Sequence, residues 1–257
     1  MKPVVFLGPS LPLVKAQAVL DAQYRPPVEQ GQIYDAVKDE QPNLIIIIDG
    51  AFGGVPAVRH KEILYAVSRG VEVIGAASLG ALRAAELQGR GMVGHGFIYR
   101  WYRRTVLADD DEVAVAMAPA ELGSGALSEA LINMRVTLRR AERDGVLGWE
   151  LRQRLIEIAR QIYFLDRSYQ ALLLRSREVL PRGLSAGLDQ LEAWLPGRSV
   201  DQKGEDARSV LSLAASWKPG PRKGNAPENF VWTEAFVRDL EAFTRHGAKA
   251  GAVKRQR

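Results

Sequence analysis

Two spacings of apolar residues divide this chain. In residues 1–120, short β-branched runs alternate with amphipathic stretches, while residues 121–246 keep only a helical period. Val4-Val5-Phe6-Leu7 predicts a first strand, ended by the turn Gly8-Pro9-Ser10. Leu44-Ile45-Ile46-Ile47-Ile48 is a continuous apolar run, as expected of a central strand covered on both faces, and Asp49-Gly50 ends it. Residues 71–75 predict a third strand. Helices are predicted over Val14–Ala22, over Val58–Val67, where Ile63, Leu64 and Val67 share a face, and over Ala81–Leu87. Strands separated by short helices imply a mostly parallel sheet with flanking helices, an α/β architecture. Ligands in such sheets bind at the carboxyl ends of the strands, so the turns after Leu7, Ile48 and Ile74 are expected to share one rim.

The second half predicts helices over Leu127–Asp144, Trp149–Tyr163, Arg167–Val179, Ala186–Trp194, Gly204–Ala215 and Thr233–Thr244, with breakers such as Gly145, Pro181 and Pro196 at the joints. Lys218–Pro227 reads as a Pro/Gly/basic linker. Residues 247–257 form a basic, flexible tail with Lys249, Lys254, Arg255 and Arg257. The reading is thus an α/β core over 1–120, an all-helical region over 121–246 and the tail.

Composition narrows the chemistry. There is no cysteine, which excludes disulfides, thiolate catalysis and a persulfide carried on this chain. Net charge is +5. No helix-turn-helix, zinc-finger or RNP pattern accompanies it, so no nucleic-acid partner is expected. The first apolar run is far too short to span a membrane and no targeting signal stands before it, so no membrane association and a cytoplasmic location are expected.

The most informative segment is Val71 to Leu87, where a strand, a tight turn of small residues and a helix place Ser78 at the turn's apex. Such a turn aims a serine hydroxyl, and the free N–H groups of a helix start, at one spot. The alternative is a plain N-cap serine, although the capping-box acid is absent because Ala81 stands at that position. Of three histidines, His60 opens the helix after the Ile-rich strand and is the first choice as general base, and His95 is the second. Asp49 at the rim is the candidate that orients a histidine. Gly53 and Gly54, with the Leu79 N–H, are candidate oxyanion donors. Arg83 is a candidate for a substrate carboxylate, unless it pairs with Glu86, and Ser10 is a weaker substrate-side candidate. Asp109-Asp110-Asp111-Glu112 reads as a solvated edge, or else as a hard-cation site or a carboxylate behind His60. Arg135, Arg139 and Glu142 share one helical face that could dock a partner. No metal site and no cofactor are assigned.

The segment from Ile45 to Ala85, with its Gly-Gly pair and Ala-Ser-x-Gly serine, locally resembles Clp-type serine peptidases. In them the Gly-Gly pair supplies an oxyanion donor and the serine is the nucleophile. A longer series of segments resembles the TfuA-like family. It comprises Val5-Phe6-Leu7-Gly8-Pro9-Ser10-Leu11, Tyr24-Arg25-Pro26-Pro27, Ile48-Asp49-Gly50-Ala51-Phe52, Pro56–Leu64, Gly75–Leu87, Gly91-Met92 and Asp110–Ala114, in that order, with weaker likeness at Leu127–Asn133 and Val200–Lys203. The family pattern more often has Met where Leu79 stands and a histidine near Met117.

This resemblance implies an accessory role beside a YcaO enzyme in forming thioamides on a ribosomal peptide. The YcaO-domain protein phosphorylates a backbone amide and sulfide then replaces its oxygen. Implied partners are that protein, a thiocarboxylated ThiS-like sulfur carrier and the precursor peptide. Ser78 would act as a hydrolase nucleophile that releases sulfide from the carrier. A non-catalytic docking or allosteric activator of the YcaO protein, and a small-molecule-binding α/β protein, are the alternatives.

Overall fold

Five short strands carry the N-terminal half: β1 (Val4–Phe6), β2 (Gln23–Arg25), β3 (Leu44–Ile47), β4 (Glu72–Gly75) and β5 (Met92–Gly94). In the computed structural model, which describes residues 2–51, 55–105, 108–119, 123–218 and 230–241, they form one sheet in the order β2-β1-β3-β4-β5. Every pairing is parallel, and one row of the sheet reads Tyr24, Val5, Ile46, Ile74, Val93. All four residues of β3 are buried because both faces of the sheet are covered.

The helices of this half are α1 (Leu13–Gln17), α2 (Gln32–Asp35, continued by a π-helical turn to Glu40), α3 (His60–Ser68), α4 (Leu79–Glu86) and α5 (Gly96–Arg104). Ile45 and Ile47 face a core shared with Ile63 of α3, Ala81 and Leu82 of α4 and Ile98 of α5. Ile46 and Ile48 face the other way, against Ala16 of α1 and Ala207, Val210 and Leu211 from far along the chain. Each large aliphatic side chain so buried contributes about 1.5–3 kcal/mol.

The second half contains α6 (Leu131–Arg143), α7 (Trp149–Gln161), α8 (Tyr169–Val179), α9 (Ser185–Trp194) and α10 (Gln202–Ala215), with a further helix over 234–241. Helices α6 to α9 share a core built on Leu138, Leu155, Leu172 and Leu191. Helix α10 instead returns to the sheet and covers its second face. Among the described residues, no helix is long and apolar enough to cross a membrane.

The acidic run joins the two halves. Asp109 pairs with Arg160 of α7, Asp111 with Arg167, and buried Glu112 takes a two-pronged contact from Arg135 of α6 at 2.6–3.1 Å. Three of its four carboxylates are spent on arginines, and no group of three or more His, Asp or Glu side chains could hold a metal ion among the described residues.

The structure differs from the sequence reading at short elements. Helix α1 ends at Gln17, not Ala22, because the Tyr24 hydroxyl donates to the Ala16 and Leu20 carbonyls and turns the chain into β2. Strands β2 and β5 and helix α5 have no counterpart in the predicted elements.

Candidate functional site

Helix α4 begins pressed against the sheet, and two glycines allow it. A Cβ on Gly80 would collide with the Ile47 carbonyl, and one on Gly75 would collide with the Gly80 carbonyl. The turn between β4 and α4 is equally tight. The Ser78 N–H donates to the Ala76 carbonyl at 2.8 Å across Ala77, which has φ +65°. A γ-turn of that hand on a residue with a Cβ is strained, by about 1–3 kcal/mol, and the surrounding packing has to hold it.

The strain places Ser78 at the start of α4, only 2% exposed, and its hydroxyl makes no capping bond. The hydroxyl reaches the Val113 carbonyl at 3.5 Å, the outer limit of a hydrogen bond. It is therefore nearly unspent. The Gly80 N–H goes to the Ile48 carbonyl and the Ala81 N–H to the Ser78 carbonyl, while the Leu79 N–H has no backbone acceptor among the described residues.

Ser78 faces a cavity of about 280 Å³. Pro9, Asp49 and Gly50 line it with Ser78, so the turns after β1, β3 and β4 do meet at one rim. The same cavity is lined by Lys203, in the first turn of α10 and 3% exposed. Its Nζ donates to the Val113 carbonyl at 2.7 Å, the oxygen that Ser78 also approaches. Burial pushes the Lys203 ammonium down from its usual value near 10.5, while the negative charges of Asp49, Glu129 and Asp201 pull it back up. A buried lysine so shifted can serve as a general base.

Lys203 also lines a second cavity, of about 230 Å³, with polar walls from Ser128, Glu129, Asn133 and Asp201. Burial raises the Glu129 carboxyl above its usual value, although Asn133 Nδ2 and the Ala130 N–H both donate to it.

The other sequence candidates are distributed as follows. Asp49 is buried and accepts from the Gly8 N–H, the Ser10 N–H and the Ser10 hydroxyl at 2.8, 3.1 and 2.6 Å. It therefore shapes the β1–α1 turn and charges the floor of the cavity, and Ser10 is spent on that bond. The structure does not bring His60 to Ser78. His60 Nε2 lies 2.7 Å from Glu86 Oε2, at the end of α4, about 12 Å along the axis from its start at ~1.5 Å per residue. Arg83 belongs to the same surface network, with bonds to Glu86 at 2.6 Å and the Val58 carbonyl at 3.2 Å. His95 meets Ser209 Oγ at 2.7 Å, away from the cavity. Arg135 is spent on Glu112 and Glu142 on Arg152, which leaves Arg139 exposed on the proposed docking face. Gly53, Gly54 and the tail over 247–257 lie outside the described residues.

Lys203 is the residue that local patterning missed. Its signal is in the helix: positions 203, 207, 210 and 214 follow one face, and the other three are buried alanine or valine. A lysine on the apolar stripe of a helix is out of place unless something buried needs it.

The family model for TfuA-like protein matches residues 49–168. Over that span, just under half of the chain, the sequence is similar to the TfuA-like family. The matched TfuA-like region begins at Asp49 and contains Ser78 and Val113, whereas Lys203 comes from beyond it. No curated protein matches the chain.

Proposed function

We propose that this protein is a YcaO-associated accessory protein for peptide thioamide formation, and that it releases sulfide by hydrolysing the thiocarboxylate of a ThiS-like carrier. The observation that supports the chemistry is a buried, nearly unspent serine hydroxyl and a buried lysine, both at the Val113 carbonyl, lining one cavity. The likeness of residues 49–168 to TfuA-like protein supports the partner.

In this reading the Ser78 Oγ attacks the thiocarboxylate carbon while Lys203 takes the hydroxyl proton. The Leu79 N–H at the start of α4 stabilises the oxyanion, with Gly53 and Gly54 as further candidate donors. The C–S bond breaks, the Lys203 ammonium returns its proton to sulfur, and hydrosulfide leaves. A water then attacks the Ser78 ester with Lys203 again as base, and the carrier departs with an ordinary carboxylate. Asp49 sets the charge near Lys203. No cysteine is needed, in accord with the sequence.

Intact-protein mass spectrometry after mixing with thiocarboxylated carrier tests this sequence of steps. An adduct of carrier mass less H₂S is expected on the wild type and absent from Ser78→Ala. An adduct of the same size on the variant would place the nucleophile elsewhere.

A further inference from the structure

Part of the cavity's lining belongs to a short antiparallel pairing. Met117 pairs with Ala126 in an antiparallel bridge. The Ala118 N–H donates to the Gly125 carbonyl at 2.8 Å, the Leu127 N–H to the Ala116 carbonyl at 2.8 Å, and the Ala116 N–H to Ser128 Oγ at 2.7 Å. Every one of these bonds uses Ala116 or Ala118. Strand alternation therefore turns the N–H and C=O groups of Val115 and Met117 toward the opposite edge. Among the described residues nothing pairs with them there.

Unpaired strand edges are templates for another strand. Here residues 115–117 line the cavity that holds Ser78 and Lys203. Gly50 and Ala51 line the same cavity, where the Leu79 side chain fills the space that a Gly50 side chain would take, and the cavity of about 280 Å³ is the room for an added main chain. Met117 and Leu165, each close to half exposed, flank the same cavity with apolar side chains.

We propose that the open edge at Val115 and Met117 is a binding site for the extended C-terminal tail of a polypeptide, which adds as a β-strand and delivers its terminal carbonyl to Ser78. Main-chain bonds to alternate tail residues supply affinity without regard to side chains. The narrow floor between Gly50, Ala51 and Ala116 selects small final residues. The Lys203 ammonium and the N-terminus of α4 favour a chain that ends there in an anion over one that continues. The chemistry at the end of this site rests on the Ser78–Lys203 reading; the binding does not.

The test is fluorescence anisotropy of labelled octapeptides ending in Gly-Gly on the Ser78→Ala protein. The parent is compared with variants N-methylated singly at each of the last five amides, and with the C-terminal carboxamide. N-methylation should weaken binding about tenfold at alternate positions and little between them, since each such position loses a main-chain hydrogen bond. The carboxamide should also bind more weakly than the carboxylate. Equal affinities across the methylated series, equal losses at every position, or no binding of the parent peptide would each overturn the edge site. A carboxamide that binds as well as the carboxylate would overturn selection of the chain end. Alternation without sulfide release by the wild type would leave the edge site standing and contradict the hydrolase, and sulfide release without alternation would do the reverse.

Discussion

Lys203 and Ser78 meet at one acceptor, the Val113 carbonyl, although 125 residues of sequence separate them. Lys203 holds that oxygen at 2.7 Å and the Ser78 hydroxyl approaches it at 3.5 Å. Val113 follows directly on Glu112, which Arg135 grips from the helical half. The carbonyl common to both side chains is thus fixed by the contact between the two halves.

The pH dependence of hydrolysis should follow Lys203. A base must be unprotonated to accept the Ser78 proton, so the rate should rise with pH and level off below the ordinary lysine value of 10.5, because burial lowers Lys203. Asp49 pulls Lys203 up, so Asp49→Asn should move the inflection to lower pH. The measurement is the pH profile of sulfide release for both proteins. An inflection unmoved by the substitution, or moved upward, would separate Asp49 from the base.

His60→Ala should leave hydrolysis within about threefold of wild type, because the imidazole engages Glu86 on the surface. An exposed pair of that kind is worth about 0–1 kcal/mol, so thermal stability should change little. A hundredfold loss of activity in a folded His60→Ala protein would return the base to His60.

Stability should fall as pH rises from about 4.5 to about 7. Glu62 accepts from the Gly31 and Arg59 N–H groups, yet burial raises its carboxyl to about 7. A carboxyl raised on folding holds its proton more tightly in the folded chain, so its contribution is fully present below 4.5 and lost through 7. Glu112 and Glu129, also raised by burial, add slope of the same sign. Thermal melts across this range should show Tm declining by several degrees, with a shallower decline in Glu62→Gln. A Tm that climbs over the same interval, or an identical slope in the variant, contradicts the assignment.

Gly80→Ala should destabilise the protein by about 1–3 kcal/mol or more, since the new methyl group meets the Ile47 carbonyl, which belongs to a central strand and cannot yield. Urea unfolding measures it. A neutral result would mean that α4 does not press on β3 as described.

The features legible in the sequence were local ones. The Ile-rich run of β3 announces a strand buried on both faces, and the small residues from Gly75 to Gly80 announce a turn with Ser78 at its head. β2 and β5 hold three residues each, too few for a period to show, and neither is buried throughout. The partner of Ser78 was hidden for a different reason. Proximity along the chain favoured His60, but α4 carries its far end, not its start, to that histidine, and the buried lysine that shares the Val113 carbonyl with Ser78 comes on α10, returning from the helical half. The acidic run looked solvated because its three arginine partners lie 23 to 56 residues away.

The measurement that bears most directly on the Ser78–Lys203 hydrolase is sulfide release from thiocarboxylated carrier by the protein alone, with no YcaO enzyme or ATP present. Wild type, Ser78→Ala and Lys203→Met are compared, with circular dichroism confirming that each is folded. The account predicts turnover by the wild type and a loss of at least about a hundredfold in each variant. The double variant should be no worse than the weaker single, because the two residues act as a unit. Unchanged sulfide release by folded Ser78→Ala, or no release by the wild type, would contradict it.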